Sequence, residues 1–555
     1  MTRRAATGWL VLLACASVAR ATAQAPQGTQ TTQHVVAAPT YQPGIDVLDY
    51  DVTLELPDTG SFIRGDVLVA LRHTAAVHRL RLNLVDALEV RTVEVNGRVV
   101  PATHAGDIID VPLDSTGDSV RVRVVYTGVV KDGLVVRRDA RGRWTWFGDN
   151  WPDRARQWLP TVDHPSDKAT VSWNIIAPMD RTVVANGELV GTQRVTAHGT
   201  ARRSTRWRES RPIATYLMVI AAGPIERFDI REPDCHYGDQ GQCVRQSVYV
   251  MPEHKKWLPG PFLAVGPIMS MFERLIGPFP YEKLAHLQSS TRFGGMENAS
   301  NIFYDDKVIT SHSIKDDLMA HEMAHQWFGD AVTEREWSHL WLSEGFATYF
   351  AALWTKFIRG DGAFDREMGT IKKRILADPV VAARPVIDTA QKDYMQLLNV
   401  NSYQKGGYIL YMLNERIGDS AFFAGLRSYQ TKYRHGTALS DDLRAELEKS
   451  SGQSLGQFFQ QWLRQPGVPE PTIGWAHDPE TGTISLLVLQ DSVRGPYELP
   501  LPVVITDAAG VETRLVIQVP AEARATIALP GQFTKPPRKL SFDPDERLLA
   551  RLARM

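Results

Sequence analysis

The chain has 555 residues, and its 62 basic and 63 acidic side chains give a formal net charge of −1. Hydrophobic residues make up 43% and charged residues 23%, which is ordinary for a soluble globular protein. The length predicts several domains, and the sequence has no basic patch large enough to indicate a nucleic-acid partner.

The first 23 residues have the pattern of a secretory signal peptide. Arg3 and Arg4 supply positive charge, residues 9–19 are apolar, and residues 21–23 (ATA) form a small-x-small cleavage site. The apolar run is too short to span a bilayer, and no later stretch of the sequence reaches about twenty apolar residues. The sequence therefore predicts an exported protein, periplasmic or secreted, without a transmembrane segment.

The cysteines bear on anchoring and on redox state. Residues 12–15 (LLAC) resemble a bacterial lipoprotein signal, so a lipid anchor on Cys15 is the alternative to free export. Cys235 and Cys243 flank a stretch with Gly and Asp that predicts a turn. In an oxidising compartment this pair favours a local disulfide, and two unrelated buried thiols are the alternative.

The pattern after the signal peptide begins with a leader and continues with strands. Residues 24–40, rich in Gln, Thr, Ala and Pro, predict a flexible leader. Short β-rich or alternating runs follow at residues 50–56 (YDVTLEL), 66–71 (DVLVAL) and 120–124 (VRVRV), and Asn96-Gly97 marks a turn. Residues 41–228 are therefore predicted to form an all-β domain.

The pattern changes again over residues 229–465 and 466–555. Helical periodicity at residues 262–275, 365–376 and 410–417, and a helix start at Ser440, predict a largely helical second domain. Residues 465–469 (QPGVP) break that pattern, and β-rich runs at 484–489, 502–505 and 514–519 predict a small C-terminal β-sandwich. The predicted fold class is multidomain α+β.

Residues 321–325 (HEMAH) contain two histidines four positions apart. On a helix this spacing brings His321 and His325 to the same face, where both imidazoles can bind one metal ion. Zinc with three protein ligands keeps a fourth position for water, the arrangement of catalytic sites. Glu322 is adjacent, where a carboxylate can act as general base toward that water.

The third metal ligand determines the subclass of zinc site. The metzincin pattern requires Gly and His where this chain has Phe328 and Ala331, so that pattern is excluded. Eighteen residues separate His325 from Glu344, which lies in an apolar and aromatic run, residues 341–347 (WLSEGFA), that predicts a second buried helix. A charged glutamate there is costly unless it is paired or bound to metal. The sequence therefore predicts one Zn2+ held by His321, His325 and Glu344.

Residues 321–329 (HEMAHQWFG) and 341–347 resemble the gluzincin zinc aminopeptidases, the relatives of alanyl aminopeptidase and leukotriene hydrolase. Residues 294–298 (GGMEN) resemble a third signature of that family. The resemblance implies that Glu297 holds the α-amino group of the substrate, as a carboxylate can by pairing with an ammonium. It implies that the rest of this segment lines the peptide: Gly294, Gly295, Met296 and Asn298.

A fourth segment, residues 403–407 (YQKGG), resembles the family's Tyr-x-Lys-Gly signature. The resemblance implies that Tyr403 donates a hydrogen bond to the oxyanion of the tetrahedral intermediate, whereas Tyr408 and Tyr411 are expected in the core. It also implies an N-terminal β-domain and a thermolysin-like catalytic domain over residues 229–465.

Two departures from the family pattern have consequences. Near Trp151 the chain has no Glu or Gln where the family has one lining the amine and side-chain pocket, so either Asp149 or Asn150 substitutes or the pocket is aromatic. The sequence printed here has no large helical C-terminal domain, which predicts a short bacterial-type member with a more open active site.

These observations favour a zinc aminopeptidase that acts on peptides with a free N-terminus. Glu322 is the predicted general base, and Tyr403 with zinc is predicted to stabilise the oxyanion. Three alternatives stay open: the same metal hydrolysing an epoxide, a thermolysin-like endopeptidase, and a binding module that has lost the chemistry.

Overall fold

The computed structural model describes residues 41–74, 77–113, 119–230, 236–237, 243–257, 260–491 and 495–555. The predicted signal peptide (1–23), the leader (24–40), Cys15 and the proposed Cys235–Cys243 disulfide lie outside the described residues or side chains. The chain forms two compact units, the first comprising residues up to 336 with 430–438, the second residues 337–429 with 439–555.

The N-terminal part of the first unit is built of strands whose side chains alternate between core and solvent, as in β1, where Tyr50, Val52 and Leu54 are buried. The turn after β4 has Asn96 and Gly97 at φ values of 50° and 78°, the geometry that Asn-Gly favours in two-residue hairpins. These strands are β1 (Ile45–Glu55), β2 (Phe62–His73), β3 (Arg79–Asn83), β4 (Leu88–Val95), β5 (Arg98–Val99), β6 (Thr103–Ala105), β7 (Ile108–Pro112), β8 (Val120–Val129), β9 (Leu134–Arg138), β10 (Trp144–Gly148), β11 (Lys168–Pro178), β12 (Thr182–Ala185), β13 (Glu188–Ala197), β14 (Thr200–Ala214) and β15 (Ile220–Gly223).

Three sheets arise from these strands. The largest has eight strands in the order β13-β14-β11-β1-β2-β8-β4-β5, the second is β12-β15-β10-β9, and the third is β3-β7-β6. Apart from the parallel pair β1–β11, neighbouring strands of the largest sheet are antiparallel.

The first unit continues with a sheet that contains both parallel and antiparallel strand pairs, and with three helices. The helices are α1 (Val265–Leu275), α2 (Asp306–Thr310) and α3 (Asp316–His325). The path of the sheet is β16-β18-β19-β21-β20, and β17 pairs with β18. Strands β18, β19 and β21 run parallel, whereas the short β20 pairs antiparallel with β21 at the edge. The strands are β16 (Glu226–Asp229), β17 (His236–Tyr237), β18 (Cys243–Val250), β19 (Lys283–Ser289), β20 (Gly295–Met296), β21 (Asn301–Asp305), and the separate pair β22 (Val332–Glu334) and β23 (Gly436–Ala438).

The second unit contains most of the helices. Gly360, Gly418 and Gly452, at φ values of 78°, 81° and 67°, follow the last residues of α4, α7 and α9, the position where glycine commonly ends a helix. The helices are α4 (Trp341–Arg359), α5 (Asp361–Ala377), α6 (Pro379–Ala383), α7 (Gly406–Ile417), α8 (Asp419–Tyr433, which extends into the first unit), α9 (Ser440–Ser451) and α10 (Gly456–Arg464).

The C-terminal part of the second unit has two sheets, β28-β25-β24-β30 and β27-β26-β29. Their strands are β24 (Thr472–Asp478), β25 (Thr483–Leu489), β26 (Leu499–Thr506), β27 (Glu512–Val519), β28 (Arg524–Ala528), β29 (Lys539–Phe542) and β30 (Ala553–Arg554). The predicted fold class, with β-rich N- and C-terminal regions around a helical catalytic domain, is confirmed. The exact boundaries at residues 228 and 465 stay predictions. Among the described helices, none has the length and apolar character needed to cross a bilayer.

Candidate metal centre

Helix α3 carries both histidines of the HEMAH motif in its last two turns, and both side chains are buried. Their Nε2 atoms lie 3.2 Å apart, and the two rings are inclined at 80°. Two nitrogens at zinc-ligand distance in tetrahedral geometry are about 3.3 Å apart, so the pair fits one metal ion. Nδ1 of His325 lies 3.2 Å from the carbonyl oxygen of Phe328 and must donate to it, which leaves the Nε2 lone pair for the metal.

Glu344 completes the donor set. It lies in the first turn of α4, whose residues 341–355 are all buried. The donor atoms of His321, His325 and Glu344 all lie within 4.8 Å of one another. Two imidazole nitrogens and a carboxylate are a donor set that zinc accepts in catalytic sites.

Glu322, the predicted general base, is buried and lies against the edge strand β20. A Cβ atom added to Gly295 would lie 2.8 Å from Cγ of Glu322 and still closer to its carboxylate. A side chain at position 295 would therefore displace the carboxylate of Glu322. Gly295 of the predicted substrate-lining segment therefore lies in direct contact with the predicted general base, Glu322.

Glu297, the predicted amine anchor, is 6% exposed. Carboxylate oxygens of Glu297 and Glu322 and a ring nitrogen of His325 form a second buried group with all three atoms within 4.8 Å of one another. A carboxylate at this position can pair with a cation close to the predicted base and to a predicted metal ligand.

The other predicted substrate-lining residues surround Glu297 on the same segment. Gly295 and Met296 pair with β21, and the carbonyl of Gly294 accepts a 3.0 Å hydrogen bond from the N–H of Asp305. Asn298 is completely buried, and its carbonyl accepts from the N–H of Asn301 at 2.8 Å. Backbone hydrogen bonds therefore hold the segment on both sides of the anchor.

Tyr403 lies in a π-helical turn, Asn401–Lys405, directly before α7. Such turns are rare and often occur at functional sites. Its hydroxyl donates a 2.7 Å hydrogen bond to Oε1 of Glu344. Helices α4 and α7 approach closely at Gly345, which has no side chain. A Cβ atom there would come within 2.9 Å of the carbonyl carbon of Gly406.

Two residues of the N-terminal β-rich part support this region, although no sequence pattern singled them out: Lys168 in β11 and Asn186 between β12 and β13. The buried Nζ of Lys168 donates to three backbone carbonyls, at 2.7 Å to Asp330, 3.0 Å to Ala331 and 3.1 Å to Gly436. Burial lowers the pKa of Lys168 to about 7. Asn186 donates from Nδ2 to the carbonyl of Ala299 at 2.7 Å, just beyond the GGMEN segment.

The two residues considered as substitutes near Trp151 are engaged within the fold. Asp149 is buried and pairs with Arg154 at 2.6 Å. Asn150 accepts from Nε1 of Trp158 at 2.8 Å and donates to the carbonyl of Met218 at 2.6 Å. Trp151 packs edge-on against Phe293, with ring centroids 6.1 Å apart, directly before the Gly-Gly pair. Of the two alternatives, this arrangement favours the aromatic one.

Two family models cover most of the described chain. Residues 47–217 match the peptidase M1 N-terminal domain, and residues 264–462 match the peptidase family M1 domain. The chain belongs to peptidase family M1. Zinc is the expected cofactor of an M1 chain, in agreement with the donor set of His321, His325 and Glu344.

Several curated proteins are similar to this M1 chain. Aminopeptidase M1-B of Oryza sativa is 26% identical over 464 residues, which are 76% of this chain and 50% of that protein. Tricorn protease-interacting factor F2 of Thermoplasma acidophilum is 25% identical over 446 residues, covering 77% and 52%. Human glutamyl aminopeptidase is 28% identical over 340 residues, covering 58% and 34%. The chain thus spans about half the length of the first two relatives.

This chain covers nearly the full length of some solved M1 structures. An M1 zinc metallopeptidase from Deinococcus radiodurans has a TM-score of 0.67 and 25% identity, with 78% of this chain and 96% of that one covered. A mutant of it was solved with a Tyr-Ser-Ala substrate bound, and matches with the same coverage and TM-score.

Proposed function

We propose that this chain is a zinc aminopeptidase, which removes the first residue of peptides that have a free N-terminus. The observation that carries the proposal is the buried group of Glu297, Glu322 and His325, whose donor atoms lie within 4.8 Å of one another. An anchoring carboxylate beside the base and a metal ligand can select the bond nearest to the amino end. The names of similar proteins, among them aminopeptidase M1-B, support the same activity.

In this proposal His321, His325 and Glu344 hold the zinc ion. When bound, zinc supplies Lewis acidity, which makes a water molecule nucleophilic and polarises the scissile carbonyl. Glu322 accepts a proton from the attacking water and delivers it to the nitrogen of the leaving amine. Its close contact with Gly295 keeps the carboxylate in one place during both transfers.

Glu297 binds the substrate's α-ammonium by a charge-assisted hydrogen bond. Gly294, Gly295, Met296 and Asn298 form the segment along which the peptide lies. An N-acetylated peptide has no ammonium and cannot form this charge-assisted hydrogen bond, so we expect it to bind more weakly than the free peptide.

Tyr403 stabilises the oxyanion of the tetrahedral intermediate. A tyrosine hydroxyl has one hydrogen, which in this structure is donated to Glu344 at 2.7 Å. Rotation about the Cζ–O bond redirects that hydrogen to the substrate oxygen, at the cost of the bond to Glu344. The proposed donor is thus held against Glu344 before substrate binds.

We also propose export to the periplasm or the medium through residues 1–23, with a lipid anchor on Cys15 as the alternative. The support is the sequence pattern of charged, apolar and small residues. N-terminal sequencing and mass measurement of the secreted protein test it: a start at Gln24 supports free export, and a lipidated Cys15 supports the anchor.

A panel of aminoacyl-fluorophore reporters tests the activity. We expect hydrolysis of free aminoacyl reporters, no hydrolysis of N-acetylated ones, loss of activity with a zinc chelator and its return with added zinc. Glu322→Gln, purified in the same way, controls for contaminating peptidases. Cleavage of blocked peptides would indicate an endopeptidase instead. Epoxide opening without reporter hydrolysis would indicate the other hydrolase, and metal binding without either would indicate a binding module.

A further inference from the structure

The side chain of Gln326, directly after the second histidine, is completely buried and uses both ends of its amide. Its Nε2 donates to the carbonyl oxygen of Glu297 at 2.6 Å and to Oδ2 of Asp330 at 2.8 Å. Its Oε1 accepts from the N–H of Ser300 at 2.8 Å. Because the N–H of Ser300 can only donate, the orientation of the amide is fixed by its partners.

Ser300 has a backbone conformation that is uncommon for a residue with a side chain. Its φ is +60°, in the left-handed region that residues with a side chain rarely adopt. Its hydroxyl donates to Oε2 of Glu209 at 3.1 Å and accepts from the N–H of Gly187 at 2.9 Å. The chain is therefore fixed where it turns after the GGMEN segment.

Gln326 thus binds the backbone at Glu297, within the GGMEN segment, and at Ser300, two residues beyond it. Both points are thereby connected to the end of the helix that carries His325. We infer that Gln326 is a positioning residue for Glu297. It sets the distance between the backbone of the anchor and the metal-binding helix. This inference rests on the proposed role of Glu297 as the amine anchor.

The chemical reason is that the reaction slows strongly when the anchoring carboxylate is displaced. The glutamate side chain has three rotatable bonds, so its carboxylate is fixed only if its backbone is fixed. An ammonium bound even 1 Å away from the productive position moves the scissile carbonyl by a similar amount, which is enough to slow the reaction strongly. The clamp on the Glu297 carbonyl prevents such a shift.

Gln326→Met keeps the length of the side chain and removes all three hydrogen bonds. We expect kcat/KM for a free aminoacyl reporter to fall about tenfold, mainly through KM, with one zinc still bound per chain. In a Glu297→Ala background the same substitution should lower kcat/KM by less than about twofold, since no carboxylate is left to position.

The double-mutant cycle separates the two hypotheses. If Glu297→Ala leaves kcat/KM unchanged, the anchor proposal fails and the inference fails with it. If Glu297→Ala lowers kcat/KM but Gln326→Met lowers it equally in both backgrounds, only the positioning role is overturned. Loss of zinc in Gln326→Met would also overturn it, because the effect would then lie in the metal helix.

Gln461→Met is the matched control. Gln461 is also a completely buried amide that clamps one residue, since Nε2 donates to the carbonyl of Glu498 at 2.8 Å and Oε1 accepts from its N–H at 2.9 Å. We expect a similar fall in Tm but an unchanged kcat/KM. An equal fall in kcat/KM would mean general destabilisation and would refute the inference. If Gln326→Met does not fold, Gln326→Asn, too short to reach both Glu297 and Ser300, should give the same dependence on Glu297.

Discussion

The hydroxyl of Tyr403 donates a hydrogen bond of 2.7 Å to Oε1 of Glu344, one of the three residues of the zinc donor group. Both side chains are buried. A metal ligand that is itself hydrogen-bonded is oriented by its partner. We therefore assign two roles to Tyr403. It orients Glu344 in the resting protein and, in the proposed reaction, donates to the oxyanion.

Tyr403→Phe should lower kcat roughly 100-fold with little change in KM, because an oxyanion donor acts mainly in the transition state. Steady-state kinetics on an aminoacyl reporter and zinc analysis check this. Tyr408→Phe is the control, since the Tyr408 hydroxyl donates to the carbonyl of Arg547 at 2.9 Å. That variant should lose about 1 kcal/mol of stability and keep its kcat. A change confined to KM in Tyr403→Phe would contradict the oxyanion role.

Glu322→Gln should keep one zinc ion per chain and lose turnover roughly 1,000-fold, because the amide cannot accept the proton of the attacking water. Metal analysis and kinetics on the same preparation check both parts. His321→Ala serves as the comparison, since it should lose the metal as well. Unchanged turnover in Glu322→Gln would exclude it as the base.

Gly295→Ala should inactivate the enzyme by about 100-fold or more, although it adds a single methyl group. The new Cβ would lie 2.8 Å from Cγ of Glu322, so the carboxylate must move from its place beside the metal ligands. Gly369→Ala, within α5, is the control because a Cβ there meets no atom within 4 Å. It should stabilise the fold by about 0.5–1 kcal/mol and keep full activity. Equal activity of the two variants would refute the assigned contact.

The pH dependence of stability should change in Asp167→Asn. Burial raises the pKa of Asp167 from 3.8 to about 8, with a smaller contribution from Asp46. The unfolded chain releases this proton near pH 4, whereas the folded protein keeps it up to about pH 8. The neutral carboxyl therefore contributes stability that is complete below about pH 4 and is lost as the pH rises through 8.

The asparagine side chain of this variant cannot ionise, so the Tm of Asp167→Asn relative to the parent should rise between pH 5 and pH 8. Thermal unfolding followed at several pH values measures this slope. Asp180→Asn is the control, since the Asp180 side chain is 71% exposed. A Tm difference in Asp167→Asn that does not vary with pH would mean that the carboxyl is ionised in the folded state.

Local sequence patterns were sufficient to predict those parts of the candidate site that lie within a single helix. The spacing of His321 and His325 specified a shared helix face, and the aromatic run around Glu344 specified a buried helix; both are present in the structure. Periodicity defines which face of an element is buried, whereas it gives no information on which distant residue packs there.

Contacts between distant segments were therefore missed. Gln326 bonds to Glu297 and Lys168 bonds to Asp330, at sequence separations of 29 and 162 residues. The π-helical turn at Tyr403 directly precedes Gly406, which approaches Gly345 closely, and no local pattern indicates this approach.

The hydrogen bonds from Lys168 and Asn186 to Asp330, Ala331 and Ala299 limit how this protein can be shortened or recombined. The donors lie in the segment matched by one family model and the acceptors in the segment matched by the other. In a fragment that starts at residue 264, the carbonyls of Asp330 and Ala331 would keep the hydrogen bonds from Thr333 and His435. The carbonyl of Ala299 would lose the bond from Asn186, at a cost of about 1–3 kcal/mol if it stays buried. Chimaeras that exchange the N-terminal segment between M1 enzymes must therefore carry a matching lysine and asparagine.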